Sequence, residues 1–229
     1  MDVKIAGKGC VSAGTYTKIK ISGNGRLCGL VQCESLSASG SIRGESLICA
    51  QKIKLSGKSV FSQNVTTKEA CVDGSLRIGG DIRTERLQIN GAVCCDGLQA
   101  KQAKISGAVC CKGGMVADDL SICFGGKTRA ESIKGEKIEI CASKSKKLGK
   151  SLLIFKKWQD KANARVQDCI EGREISIDDV TCPRVSGESV RIGKGCNVEL
   201  VQYSESVQIS PRAKVGKVER LGEFIKKNC

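Results

Sequence analysis

A glycine recurs about every seventeen residues in the first half of the chain, and this spacing limits the possible folds more than any other feature. Each glycine follows a serine, an aspartate or an asparagine, and the five successive intervals are 17, 17, 17, 17 and 16 residues. A short polar residue before a glycine is typical of a turn, because glycine accepts a positive φ. The pattern predicts structural turns at Gly23, Gly40, Gly57, Gly74, Gly91 and Gly107, one in each copy of a repeat.

Apolar residues keep a constant phase relative to these glycines. They occur in pairs whose members are two positions apart, as expected for strands that turn alternate side chains to one face. One pair lies four and two positions before each glycine, beginning with Ile19 and Ile21, and a third pair follows the later glycines. The second set of pairs, also expected to point inward, comprises Val31 and Cys33, Ile48 and Ala50, Val65 and Thr67, Ile82 and Thr84, and Leu98 and Ala100.

Three short strands per copy predict an all-β fold, a parallel three-sided β-solenoid with about 17 residues per winding. One winding cannot bury its apolar face alone, so the windings stack at a rise of roughly 4.8 Å. Since aromatic residues make up only 3% of the chain, we expect a core of Val, Ile, Leu, Ala and Cys without aromatic anchors. An antiparallel meander or sandwich is the alternative, although such folds do not require equal spacing.

The repeat also predicts the domain organisation. We expect N-terminal windings over residues 1–142 and C-terminal windings over residues 166–222, as parts of one solenoid. Residues 143–165 interrupt the pattern as an insertion, and residues 223–229 form a short tail. The apolar pairs of the C-terminal windings are Ile175 and Ile177, Val190 and Ile192, and Val207 and Ile209.

The insertion combines helical periodicity with a high positive charge. Its apolar residues recur at helical intervals, and residues 127–165 contain 12 Lys and Arg against 4 Asp and Glu. We expect a short basic amphipathic helix that lies on an anionic membrane surface; the alternative is that its apolar side packs on the solenoid. The candidate membrane-binding residues are Lys144, Lys146, Lys147, Leu148, Lys150, Leu152, Leu153, Phe155, Lys156, Lys157 and Trp158.

The composition excludes several classes of active site. The chain contains no histidine, which removes Ser-His-Asp and Cys-His catalysis and histidine-ligated metal sites. Its 15 cysteines are an odd number, and the N-terminus has no apolar signal segment, so we expect reduced, buried thiols. Adjacent cysteines on a strand face opposite ways, so Cys94, Cys95, Cys110 and Cys111 should not converge on one ion.

We therefore expect no metal, no cofactor and no catalytic residue, and hence a protein that is not an enzyme. An enzyme with a groove on the flank of the solenoid is the least favoured alternative. Its signature would be a pair of carboxylates stacked in phase on one outer face. The sequence contains no such in-phase pair.

Two sets of motifs stand out from the rest of the repeat. The first is the phrase Lys-Ile-Lys-Ile-Ser-Gly at residues 18–23, with variants at 52–57 and 103–107. The second is the late block at residues 170–172, 190–196 and 198–201. Both sets resemble the bactofilins, a family of polymer-forming bacterial cytoskeletal proteins. The resemblance covers nearly the whole chain outside the insertion. It implies a right-handed parallel β-helix, a nonpolar homopolymer that forms without nucleotide, and membrane association. The insertion, the many cysteines and the lack of a long Pro-rich tail depart from the short members.

These observations predict a structural scaffold that assembles end to end. The first winding begins near Met1 and leaves no room for a capping helix, so we expect an exposed strand edge there. The candidate polymer-interface residues are Val215, Val218, Leu221, Phe224 and Ile225. The expected partners are the chain itself, an anionic membrane surface and cytoplasmic client proteins.

Nucleic acid is not favoured as a partner, because the few aromatic residues do not alternate with basic ones. The expected location is the cytoplasm, at the periphery of the inner face of the cell membrane. The alternative function is a membrane-surface adaptor that stays monomeric or dimeric and uses the basic helix of residues 143–165.

Overall fold

The glycine repeat corresponds to successive windings of a parallel β-solenoid. The computed structural model describes residues 1–143 and 164–222, which form about 12 turns spaced about 17 residues apart. Every strand pairing among these residues is parallel, so the all-β solenoid is confirmed and the antiparallel alternative is wrong. No helix occurs in the described ranges, and the helix expected within 143–165 lies almost wholly outside them.

Long strands follow most of each winding, and β2 to β7 each span 14 to 16 residues. The strands are β1 (Asp2–Val11), β2 (Gly14–Leu27), β3 (Leu30–Gly44), β4 (Ser46–Phe61), β5 (Val65–Ile78), β6 (Asp81–Cys95), β7 (Gly97–Cys111), β8 (Gly114–Phe124), β9 (Thr128–Ala130), β10 (Ser132–Ala142), β11 (Ala164–Val166), β12 (Cys169–Ile177), β13 (Val180–Ile192), β14 (Asn197–Ile209) and β15 (Lys214–Arg220).

The sheet follows the chain order and is continuous between the two described ranges. Strands β1 to β8 pair successively, then β10, β12 and β13, and β14 and β15 complete the series. The short strands β9 and β11 pair with each other and bridge β7 to β13. Strand β10 pairs directly with β12, with Ile133 opposite Ile170. The windings on either side of residues 144–163 therefore share one hydrogen-bonded sheet.

The core consists of ladders in which each winding places an apolar side chain at the same phase. One ladder begins at Val3 and runs through Ile19, Leu36, Ile53, Ala70, Leu87, Ala103, Leu120, Ile138, Ile175 and Val190 to Val207. Its interior members are buried, whereas its two end members are only half-buried. Stacking of neighbouring windings thus excludes water from each ladder, as the repeat predicts.

Two aromatic side chains lie in the core, contrary to the expectation of a core without them. Phe61 and Phe124 are the largest fully buried side chains. The register places each opposite a glycine of the preceding winding, Gly44 and Gly107. A Cβ added to Gly44 would lie 3.0 Å from the Phe61 ring. A glycine on one winding therefore leaves room for a phenylalanine on the next.

One predicted inward pair faces solvent, because β4 contains a bulge. Ile48 and Ala50 are exposed, while their neighbours Leu47 and Cys49 are 0% and 2% exposed. Cys33 pairs with Cys49, but the next paired residues are Ser35 and Lys52, so β4 carries one extra residue here. An extra residue reverses the side-chain alternation on one side of the bulge. The expectation for this pair was therefore wrong by one position.

Candidate assembly surfaces at the ends of the solenoid

The first winding presents a strand edge with no described partner. Strand β1 pairs with β2 on one side, and no strand within residues 1–143 or 164–222 pairs with its other edge. Val3 and Ile5 are half-buried, whereas Ile19 and Ile21, their partners in β2, are 0% and 3% exposed. An unpaired edge offers backbone N–H and C=O groups to another strand. We call β1 and its outer side the N-terminal edge.

The last described winding presents a second such edge. Strand β15 pairs with β14, and its other side meets no strand of the described chain. Val215 and Leu221 are half-buried, and Val218 is 43% exposed. Strand β15 carries Val215 and Val218, and Leu221 follows its last residue, whereas Phe224 and Ile225 lie outside the described residues. We call β15 and residues 204–209 of β14 the C-terminal edge.

Strand β15 is short and covers only part of the winding before it. It pairs with residues 197–203 of β14 and leaves the rest of that strand without a described neighbour on that side. Val207 is therefore half-buried, and Ile209 is 39% exposed. The expectation that Ile209 points into a closed core is wrong, because no described winding covers it. Its exposure extends the apolar surface of the C-terminal edge.

Val3, Ile5 and Ile209 also lie at these edges but were not among the predicted interface residues. The signal for the first two was present, because they lie 16 positions before Ile19 and Ile21 and share their phase. Ile209 gave no such signal, because its phase is that of a core residue. Ile209 is uncovered because β15 is too short to pair with the end of β14.

Both edges are basic. Strand β1 carries Lys4 and Lys8 against Asp2, while β15 carries Lys214, Lys217 and Arg220 against one glutamate. That glutamate, Glu219, lies 2.6 Å from Lys217 Nζ and accepts a 3.0 Å hydrogen bond from Gln202 Nε2. The hydrogen bond from Lys217 is the main cause that lowers the pKa of Glu219. The carboxylate stays ionised at neutral pH, and excess positive charge remains at each edge.

The predicted turn glycines form a ladder with positive φ. Gly7 and the six predicted glycines are in register from β1 to β7, and φ of the six lies between 110° and 139°. They lie inside the strands, where they redirect the chain without ending the ladder of hydrogen bonds. A Cβ on any of the six would overlap the carbonyl oxygen of the preceding glycine. We call this series the glycine ladder.

The adjacent cysteines alternate between the core and the surface. Cys95 and Cys111 are 1% and 3% exposed, Cys94 is half-buried and Cys110 is exposed. Hydrogen bonding to Cys111, reinforced by burial, raises the pKa of Cys95. Burial raises the pKa of Cys182 to about 12. The thiols of Cys95 and Cys182 therefore remain protonated and pack as small apolar side chains. Among the residues that the structure describes, no three His, Cys, Asp or Glu side chains form a metal site.

A groove of about 350 Å³ lies on the flank of the C-terminal windings. Arg191 donates a 3.1 Å hydrogen bond to Ser176 Oγ. Two carboxylates, Glu139 and Glu174, line this groove. In the register Glu174 stands opposite Lys137 and Glu139 stands opposite Ser176.

The membrane-binding candidates lie between residues 144 and 158, outside the described part of the chain. Within residues 1–143 and 164–222, no helix is long and apolar enough to cross a membrane. Comparisons of the chain with family models, with curated proteins and with solved structures found no match.

Proposed function

We propose that this protein is a structural scaffold whose subunits assemble end to end into homopolymers without nucleotide. The observation that carries the proposal is the pair of terminal edges, each with partly exposed ladder residues and a strand whose outer side pairs with no strand of residues 1–143 and 164–222. Pairing of an edge with a second subunit would satisfy backbone donors and acceptors and extend the apolar ladders. A solenoid fold is compatible with such a role, because stacking between windings and stacking between subunits use the same contacts.

The resemblance to bactofilins supports the finer features of this proposal. We propose a right-handed, three-sided winding and a nonpolar polymer, in which each edge meets the same edge of another subunit. A two-fold axis would relate such subunits. We also propose that residues 143–165 contain a short helix and that the polymer is cytoplasmic, at the inner face of the cell membrane.

Electron microscopy of the purified protein without nucleotide tests the proposal. We expect filaments that lengthen with protein concentration. Dispersed monomers at the highest soluble concentration would contradict end-to-end assembly.

A matched pair of valine variants tests whether the terminal edges make the contact. Val218 on β15 is 43% exposed, and Val116 on the flank at β8 is 48% exposed. Val218→Lys places a charge in the proposed interface and should abolish or shorten filaments. Val116→Lys adds the same charge away from both edges and should leave them unchanged. Equal filament length in the two variants would exclude the C-terminal edge.

A second function is favoured by the charge of the insertion and the residues before it, since residues 127–165 hold 12 Lys and Arg against 4 Asp and Glu. In this alternative the protein is a monomeric or dimeric adaptor that binds an anionic membrane through the basic segment. Co-sedimentation with anionic and with neutral liposomes separates electrostatic from nonspecific binding. A variant lacking residues 144–161 should lose the anionic preference. Equal binding by that variant would remove the insertion from the mechanism.

A further inference from the structure

Most of the described cysteines stand beside another cysteine on the adjacent winding. In-register examples are Cys33 with Cys49, Cys94 with Cys110, Cys95 with Cys111, and Cys123 with Cys141. One pair outside these ladders has its two sulfur atoms in close contact. Cys10 is exposed, Cys28 is half-buried, and their sulfur atoms are 2.6 Å apart.

We propose that Cys10 and Cys28 are a modification site at which a low-molecular-weight disulfide, such as oxidised glutathione, forms an intramolecular disulfide bond. The spacing of the sulfurs favours a covalent bond over a bridging ion. A metal ion with sulfur bonds of about 2.3 Å would hold the two sulfurs roughly 4 Å or more apart. The exposure of Cys10 gives the oxidant access that the buried pairs lack.

The backbone holds the two cysteines together. Cys10 precedes the last residue of β1, and Cys28 lies in the link between β2 and β3. The N–H of Cys28 donates a 2.8 Å hydrogen bond to the carbonyl oxygen of Val11. Gly29, which follows Cys28, has a φ of 73° and so allows the link to turn at this point. The sulfurs are thus brought together by main-chain contacts that do not depend on the thiols.

The exchange conserves atoms and electrons. One thiol of the pair loses its proton, and its thiolate attacks a sulfur of oxidised glutathione, which forms a mixed disulfide and releases one glutathione thiolate. The second thiol loses its proton and displaces the other glutathione thiolate, and both leaving thiolates take up a proton. Two protein thiols are oxidised to one disulfide, and one oxidised glutathione is reduced to two glutathione molecules.

The bond would fasten the first winding to the rest of the solenoid. The two cysteines are 18 positions apart, so the bond closes a loop that contains all of β2. Such a bond restricts the opened state of the loop and should slow local opening of β1. The inference does not rest on end-to-end assembly, because the outer side of β1 remains unpaired in both redox states.

Peptide mapping of the folded, full-length protein tests the site. The protein is incubated with oxidised glutathione at neutral pH, alkylated and digested with trypsin. We expect residues 9–18 to be linked to residues 27–43, with the loss of two hydrogen atoms. Because residues 27–43 also contain Cys33, two variants identify the partner. Cys28→Ser should abolish the link, and Cys33→Ser should retain it.

Three results would overturn the proposal: no link in the folded protein, a link that persists in Cys28→Ser, or glutathione left on Cys10 as the end product. Hydrogen exchange provides an independent measurement that does not depend on peptide recovery. Oxidation should slow exchange of the β1 amides in the native protein and in Cys71→Ser, whose register partners are Lys54 and Gln88. It should not slow exchange in Cys10→Ser. Unchanged exchange in the linked protein would contradict the proposed restraint on β1.

Discussion

At the residue scale, two independent constraints act on each member of the glycine ladder. The backbone takes a positive φ, which costs an L-residue roughly 1–2 kcal/mol. In addition, the Cβ of any other residue would overlap the carbonyl oxygen of the glycine below it, as at Gly91 over Gly74. Gly7 has only the first constraint, because its φ is 88° and nothing lies within 4 Å of an added Cβ. A comparison of Gly7 with Gly91 therefore separates the cost of backbone strain from the cost of steric overlap.

The first prediction compares alanine at these positions. Gly91→Ala should lower the free energy of unfolding by about 2 kcal/mol or more, because strain and overlap add. Gly7→Ala should cost about 1 kcal/mol, since only the strain applies. Gly125→Ala, at a position with ordinary φ and its nearest atom 3.9 Å from an added Cβ, should change stability by less than about 0.5 kcal/mol. Urea denaturation followed by circular dichroism measures all three. Equal losses at Gly91 and Gly125 would contradict this account.

At the element scale, the bulge in β4 shows what limits prediction of this fold from sequence. The ladders were predictable, because a constant phase relative to the glycines is a local signal that repeats in every winding. The extra residue after Cys49 was not predictable. The inward positions were assigned by counting back from Gly57, and this count assumes that no extra residue lies between Cys49 and Gly57. The burial of Phe61 was not predicted for a similar reason, because the space for its ring is provided by Gly44 on another winding.

The second prediction tests which side chains of β4 point into the core and which point to solvent. Leu47→Lys should destabilise the protein by about 3–5 kcal/mol, because it buries an unpaired charge. Ile48→Lys should change stability by less than about 0.5 kcal/mol, because that side chain is 42% exposed. The thermal unfolding midpoint distinguishes the two variants. A larger loss of stability in Ile48→Lys than in Leu47→Lys would support the prediction from the sequence that Ile48 points into the core.

The third prediction concerns an ionic ladder across β10, β12 and β13. Glu171 lies 2.9 Å from Lys134 and 3.0 Å from Arg184. The hydrogen bond from Lys134 is the main cause that lowers the pKa of Glu171. A carboxylate whose pKa is lower in the folded state stabilises it above the unfolded pKa of about 4.3, and this contribution is lost as pH falls through the folded pKa.

Glu171→Gln should therefore cost up to about 1 kcal/mol near neutral pH, since the carboxylate is partly exposed to solvent. The difference from the unmodified protein should shrink as pH falls below about 4.3 and through the lower folded-state pKa. Urea denaturation at neutral pH and at a series of acidic pH values measures it. Glu34→Gln, which changes an exposed carboxylate, is the control and should change stability by less than about 0.5 kcal/mol. A loss that persists at acidic pH would assign the effect to packing instead.

At the scale of the whole molecule, the windings of residues 1–143 and 164–222 stack into one sheet, and its two edges are more exposed than its interior. The position of Val215 and Val218 at the C-terminal edge was predictable, because both follow the repeat to its last described winding. The exposure of Ile209 was not, because it depends on where β15 stops relative to β14. Strands β10 and β12 pair with each other although residues 144–163 separate them in the sequence, so the windings on both sides belong to one sheet. The bounds of the insertion stay a prediction.

The fourth prediction follows from the charge of the molecule. The chain carries a formal net charge of +14, and both terminal edges are basic, so subunits that meet at their edges repel each other. Raising the ionic strength from about 0.05 M to about 0.5 M should promote assembly, because screening weakens this repulsion. Sedimentation and light scattering measure the assembled fraction. Assembly that declines with salt would contradict an interface made by strand pairing and apolar contact.

Variants that each remove one positive charge identify which charges oppose assembly. Lys4→Gln and Lys214→Gln each remove a positive charge from a terminal edge and should shift assembly to lower salt. Lys104→Gln removes the same charge from the flank at β7, where it is exposed, and should have a smaller effect. The same shift in all three would assign the salt dependence to net charge alone.

The in-register glycines have an evolutionary consequence. Because Gly57 and Gly74 occupy equivalent positions on neighbouring windings, duplication or loss of the 17 residues between them would keep every downstream ladder in phase. The chain could thus gain or lose length in steps of one layer, each roughly 4.8 Å, while its two extremities stayed unaltered. Recombination within the gene could therefore change the length of the solenoid one winding at a time and leave both terminal windings unchanged.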